Sequence, residues 1–303
     1  MMADQGHEGS DMTPIELAND ELAIAVLPAI GGGLARFDRL GATGRIPLFR
    51  SWDGMTAEPN ALACYPLLPF SNRLGGGGIE AGGRFWALPA NMAPDPHPLH
   101  GDGWQKPWTV LERSAAHVAL ALESRDLQPF DYRARLSYAL EGPAMTMRLE
   151  IEHQGTVPVP YGLGFHPWLP RTPGTTLEAP ADRVWLERPD HLPDREVSID
   201  ERPDWDFRTP RPLPASWVNN GFTGWSGKAR VEWPEHGLGL AVEASAQLAT
   251  LMLYSPAVDC GFFCLEPVSH PVDAHRLPGQ PGLRLLRQGE GFAVGCRFTV
   301  GEG

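Results

Sequence analysis

Glu266 ends the apolar run "GFFCLEPV", where a strand reading buries a carboxylate. An isolated buried charge is costly, so this acid must be paired, hydrogen-bonded or neutralised; a strand-end glutamate bonded to loop backbone is the plainer alternative. Two of the ten histidines have similarly pointed settings. His100, in "HPLHGDGW", lies between Pro98 and Gly101 in a rigid turn that could set an imidazole beside the Trp104 indole. His166, in "YGLGFHPWLP", precedes Pro167, which ends an extended segment, and has Phe165 and Trp168 as aromatic walls. Imidazoles exchange protons near neutral pH, although a lone histidine is more often structural.

The stretch "NRLGGGGIEAGGRF", Asn72 to Phe85, raises a phosphate-binding question and answers it negatively. A Walker loop needs Gly-Lys-Ser/Thr, and Gly78-Ile79-Glu80 stands there instead. Gly76, Gly78 and Ala81 satisfy a dinucleotide-type GxGxxA, but "GGRFWALP" cannot open the helix that such a fingerprint requires. The expectation is a hairpin in which Gly75 to Gly78 reverse the chain and let Arg73 project. The four cysteines, Cys64, Cys260, Cys264 and Cys296, form no CxxC pair and no zinc-spaced cluster. Cys260 and Cys264 read as buried free thiols, and neither a metal nor a disulfide framework is expected.

The elements that must position these residues are strands. In "AMTMRLEIEH", Met145, Met147, Leu149 and Ile151 alternate with Thr146, Arg148, Glu150 and Glu152, a half-buried strand. "DYRARLSYAL" and "GFAVGCRFTV" repeat the pattern, and "ELAIAVLP", "HVALALES", "GLGLAVEA" and "LATLMLYS" fit shorter strands. No segment has convincing helical periodicity, and 34 glycines with 31 prolines suit many turns. The expectation is an all-β fold forming one domain over residues 1–303, with residues 1–14 a flexible N-terminal tail. Pro180 to Pro214 carries Trp185, Leu186, Leu192, Val197, Trp205 and Phe207, which predicts an ordered loop excursion rather than a linker.

A net charge of −12 without a Lys/Arg cluster argues against nucleic acid and anionic membranes as partners. The beginning, "MMADQGHEGSDM", lacks the basic and apolar regions of a signal peptide, and no apolar run spans a bilayer, so a cytoplasmic protein is expected. The pattern leaves oligomeric state open.

Taken in order, "YPLLPFSNRL", "PHPLHGDGW", "GLGFHPWL", "NNGFTGW" and "CLEPVSHP" resemble the motifs of the aldose 1-epimerase (galactose mutarotase) family, from Tyr65 to Pro271. The resemblance implies a large antiparallel β-sandwich of the galactose mutarotase-like type. It also implies an isomerase without a cofactor that interconverts the anomers of a free monosaccharide by ring opening and reclosure. Carried over by position, Glu266 matches the general base and His166 the general acid, and their opposite charges would help hold both states. His100 matches the second histidine near the ring oxygen, and Arg73, beside Asn72, the arginine that binds hydroxyls. Trp104 and Trp168 could stack on a sugar face or belong to the core.

One departure stands out. Asn219, in "VNNGF", occupies a position where the family usually has Asp; it keeps the shape without the charge. A sugar-binding or sugar-sensing module without turnover is therefore an alternative. A hexose-6-phosphate epimerase is another, for which Arg36, Arg84 and Arg171 are the candidate phosphate cations. Asp102 and Trp104 after His100-Gly101, where that branch favours a basic residue, speak for an unphosphorylated sugar.

Overall fold

The computed structural model describes residues 12–42 and 44–303. Most of the segment expected as a tail lies outside the described residues. Among the described residues the helical elements are six three-residue 3-10 turns, and the rest of the regular structure is strand.

Alternation in the sequence becomes register in the sheet. Tyr132–Glu141 and Ala144–His153 pair antiparallel over their whole lengths, from Tyr132↔His153 to Glu141↔Ala144. Ala144–His153 pairs on its other side with Gly291–Glu302. These three strands lie inside a nine-stranded antiparallel sheet that runs from Arg211–Pro212 at one edge to Thr109–Arg113 at the other. Its inward side chains include Leu136, Tyr138, Met147, Leu149 and Phe298, all fully buried. Each such group contributes roughly 1.5–3 kcal/mol by leaving water.

An eight-stranded sheet lies against that core. Its order is Pro193–Ser198, Arg183–Glu187, Val218–Thr223, Thr250–Ser255, Phe262–Val268, Gly164–Phe165 and Pro66–Leu67, with Trp168–Pro170 also paired to Phe262–Val268. Successive side chains of a strand point to opposite faces. Leu251, Leu253, Phe263 and Leu265 therefore join the shared core, together with Phe37 and Ile24 of a four-stranded sheet near the N-terminus. The alternate residues face away from it. Asn219, Tyr254, Cys264 and Trp168 are consecutive cross-strand partners, and Glu266 lies two residues along from Cys264 on the same face.

Three local expectations need correction. Pro180 to Pro214 is no loop excursion, because Arg183–Glu187 and Pro193–Ser198 within it are strands of the eight-stranded sheet. Proline in this segment hides an edge hairpin, where a missing N–H is tolerated. The glycine run is divided: Gly75–Gly77 form a 3-10 turn, and the hairpin follows from Gly78–Ala81 to Arg84–Ala87. Its reversal is made by Gly82 and Gly83, both in the left-handed region that such two-residue turns require. Cys260 is exposed in a turn, whereas Cys264, four residues on and inside the strand, is buried.

Candidate active site

The polar face of the eight-stranded sheet floors a cavity of about 260 Å³. It is lined by Arg73, His100, His166, Trp168, Asn219 and Glu266, with Asn72, Asn60, Tyr65, His191, Trp217 and Tyr254 around them. The size is just below the range of small-molecule pockets, which runs roughly 300–1,000 Å³. A larger hollow, about 500 Å³, lies on the nine-stranded sheet among Arg133, Arg135, Glu150 and Glu152. Its charges are exposed and cross-paired, as in Arg133–Glu123 and Arg135–Glu112. Desolvated groups of the kind proton transfer needs are concentrated in the smaller cavity.

His166 and Glu266 meet there, Nε2 to Oε1 at 3.3 Å, with side chains only 8% and 4% exposed. The main chain aims the imidazole: His166 N–H donates to Tyr65 O at 3.0 Å, immediately before Pro167. Its ring stacks with Tyr65 at 4.6 Å and with Trp168 at 5.2 Å between centroids. The Trp168 ring carries the Arg50 guanidinium 3.9 Å from its centroid. Burial pushes Glu266 up to about 8, opposed by the positive charge of Arg73, and pushes His166 down to about 3. Both shifts favour the uncharged forms of the pair, with the shared proton on the carboxyl. Desolvation is the largest cause at both groups and works against the charge-separated pair anticipated from the residue types.

His100 is held by a different device. It and Gly101 both adopt left-handed conformations, with φ of 59° and 69°. A Cβ on Gly101 would lie 2.2 Å from Leu68 O, so only glycine lets the turn approach the sheet. Asn72 N–H donates to His100 Nδ1 at 2.9 Å. Burial keeps His100 well below its ordinary value, so the ring is neutral and its proton resides on Nε2. Arg73 follows Asn72 and donates from Nε to Asp95 at 2.6 Å and from Nη1 to Asn72 Oδ1 at 3.4 Å. Its backbone bridges to Leu99, which fixes it beside the His100 turn.

Trp104 does not line the cavity. It is 1% exposed, stacks with Tyr65 at 5.2 Å and meets His100 edge-on at 5.7 Å, with Nε1–H bound to Gly101 O. In this geometry it braces the His100 turn from behind, since its own ring is already covered on the core side. Trp168, half-buried, does line the cavity. Arg36, Arg84 and Arg171 are elsewhere: Arg36 pairs with Glu16 and Asp38, Arg84 lies over Trp86, and Arg171 binds Ser255 and loop carbonyls.

Among the described residues, three buried polar atoms of cavity-lining side chains have no protein partner: His166 Nδ1, Trp168 Nε1 and Glu266 Oε2. Such atoms are expensive to leave unpaired. His166, Cys264 and Glu266 also offer ligand atoms within 4.8 Å of one another, a set able to take a cation. Tyr254, His191, Trp217, Asn60 and the Arg73 partner Asp95 were not foreseen from the sequence. For Trp217 a signal existed, because it lies two residues before Asn219 and so shares its face.

Two sheets with one polar face and a buried carboxylate–imidazole pair define the class as a β-sandwich of the galactose mutarotase-like type. The chain belongs to the aldose 1-epimerase family, whose pattern matches residues 14–299. It is 38% identical over 234 residues to the uncharacterized protein YphB of Escherichia coli K12, covering 75% of this chain and 80% of that one. A crystal structure from Escherichia coli K12, presented as a candidate aldose 1-epimerase, superposes with a TM-score of 0.89 at 33% identity, over 96% and 99% of the two chains. A galactose mutarotase-like protein from Clostridium acetobutylicum shares the fold at 16% identity, with a TM-score of 0.83 over 96% and 95%. No helix among the described residues is long and apolar enough to cross a membrane.

Proposed function

We propose that the protein interconverts the α and β anomers of a free aldose, with Glu266 as base and His166 as acid. The observation that carries the reading is the buried 3.3 Å contact between these two groups in a cavity of about 260 Å³. Glu266 takes the proton from the anomeric hydroxyl as the O1–H electrons form the aldehyde carbonyl. The bond from C1 to the ring oxygen breaks, and that oxygen takes its proton from the His166 imidazolium. Rotation about C1–C2 and the reverse transfers close the other anomer, so no proton is consumed and no cofactor is required.

The pair holds one proton throughout, and its two arrangements are the two halves of the cycle. Burial favours the uncharged arrangement, with the proton on Glu266, which is the form that ring opening leaves behind. Sugar hydroxyls bound by Arg73 and the Nε2–H of neutral His100 supply the polar surroundings in which the charged arrangement competes. The absence of Arg36, Arg84 and Arg171 from the cavity lining supports an unphosphorylated substrate.

The test is anomer exchange of D-galactose and D-glucose followed by NMR, comparing wild type with Glu266→Gln. Loss of an acid–base group costs ~100-fold to ~10,000-fold. Equal acceleration by both proteins sinks the mechanism, and saturable sugar binding without exchange above buffer turns the reading to a sugar-binding module.

A further inference from the structure

One wall of the cavity hangs on a single carboxylate outside the catalytic pair. Glu187, the last residue of Arg183–Glu187, is 20% exposed and gathers three donors. Its Oε2 accepts from Asn219 Nδ2 at 3.0 Å and lies 2.9 Å from His191 Nδ1, while its Oε1 accepts from Trp217 Nε1 at 2.6 Å. All three donor residues line the cavity. A carboxylate only accepts, so His191 carries its proton on Nδ1, and Asn219 presents its carbonyl oxygen and second N–H to a ligand.

The surroundings agree with a built wall. His191 is delivered by the turn between Arg183–Glu187 and Pro193–Ser198, with a left-handed φ of 62° and its N–H bound to Arg188 O at 2.9 Å. The Trp217 indole is 42% exposed at this wall, edge-on to Tyr254 at 5.3 Å and beside His191 at 5.8 Å. An exposed tryptophan whose N–H is tied back to a charge offers a fixed ring face, the usual platform for an apolar sugar face. The strand of Asn219 is separated from that of Glu266 by one intervening strand, a displacement of roughly 9–10 Å.

We propose that Glu187 is the positioning residue of a specificity wall, locking Asn219, His191 and Trp217 to receive the non-anomeric hydroxyls and ring face of the sugar. This deepens the proposed anomer exchange and rests on it for the identity of the ligand. The arrangement also gives a reason for an amide at position 219. An aspartate there would face Glu187 at hydrogen-bond distance, and the two carboxylates would repel or share a proton.

The decisive experiment is a double-mutant cycle on the intact protein, with D-galactose and D-glucose as probes. Glu187→Gln and Asn219→Asp are each expected to raise KM about 10-fold with kcat within about threefold, since a lost charge-assisted hydrogen bond has that scale. The double variant is expected to return to within about threefold of wild type, because the amide introduced at position 187 then donates to the carboxylate introduced at position 219. Trp217→Phe keeps ring and charge; it should raise KM a few-fold in the wild-type background and not in Glu187→Gln. Simple addition of the two charge variants, or an Asn219→Asp protein as good as wild type, overturns the proposal. A readout without sugar separates it from the function: in 15N-histidine-labelled protein His191 should be protonated at Nδ1 and lose that preference in Glu187→Leu, which leaves no acceptor there. An unchanged tautomer refutes the role of Glu187 even if exchange is fast. Absent wild-type exchange refutes the function, and the tautomer still decides for or against Glu187.

Discussion

The nine-stranded and eight-stranded sheets share one core and differ in what their second faces do. The outer face of the first is paired, exposed charge, such as Arg148–Glu150, whose removal costs little. The second face of the other buries His166 and Glu266 at 6% and 3% exposure with polar atoms left unpaired. One sheet leaves its polar groups in water, and the other desolvates groups that titrate.

The largest separation is expected from His166→Phe set against Leu149→Ala. His166→Phe keeps an aromatic ring beside Tyr65 and Trp168 and removes the proton, so kcat should fall ~100-fold to ~10,000-fold without loss of melting temperature. Leu149→Ala empties a fully buried position in the other sheet, and should cost about 2–5 kcal/mol in urea unfolding while kcat of the folded protein is retained. A His166→Phe protein that melts much earlier would break the contrast.

The next effect is one of pH. Glu266 is raised from 4.5 to about 8, so its favourable contribution is complete below 4.5 and disappears as pH rises through 8. Glu266→Gln lacks this term. Its stability relative to wild type should climb by about 1 kcal/mol per pH unit between pH 5 and 8, measured by urea titration. Buried His270, lowered from 6.5 to about 4, acts with the opposite sign: its contribution is present above 6.5 and fades as pH falls toward 4. It accepts from Ser71 N–H at 3.1 Å, and both proteins should share that acid loss. A flat difference between the two proteins would mean that Glu266 is ionised in the empty site.

The smallest effect distinguishes wall from brace. Trp104→Phe removes the N–H bond to Gly101 O behind the His100 turn, and a shift in melting temperature of a few degrees with KM changed less than about threefold is expected. A large KM change with unaltered melting would make Trp104 a sugar contact after all.

Much of the first sheet is legible in the sequence, because period-two alternation in Tyr132–Glu141, Ala144–His153 and Gly291–Glu302 is the direct trace of one buried and one wet face. The motif residues Arg73, His100, His166, Trp168, Asn219 and Glu266 are also found together in the cavity. The rest is hidden for definite reasons. Buried on both faces, Phe262–Val268 has no alternation to show which side Glu266 takes. The prolines of "RPDHLP" mask a hairpin, so Glu187 and His191 give no hint that they converge on Asn219, 32 residues from Glu187. Charge state is hidden too, since residue type suggests an ion pair and burial at both groups works against it.

The hairpin turn that carries His191 has a consequence for how this scaffold changes over time. The cavity floor spans several strands of the eight-stranded sheet, whose opposite face belongs to the shared core. Within the turn Leu192 is buried and His191 is tied to Glu187; under the proposed function, residues gained or lost at its exposed positions would change one side of the sugar's surroundings while leaving His166 and Glu266 in place. On the proposed reading, substrate preference is a replaceable fitting and the reaction part of the frame.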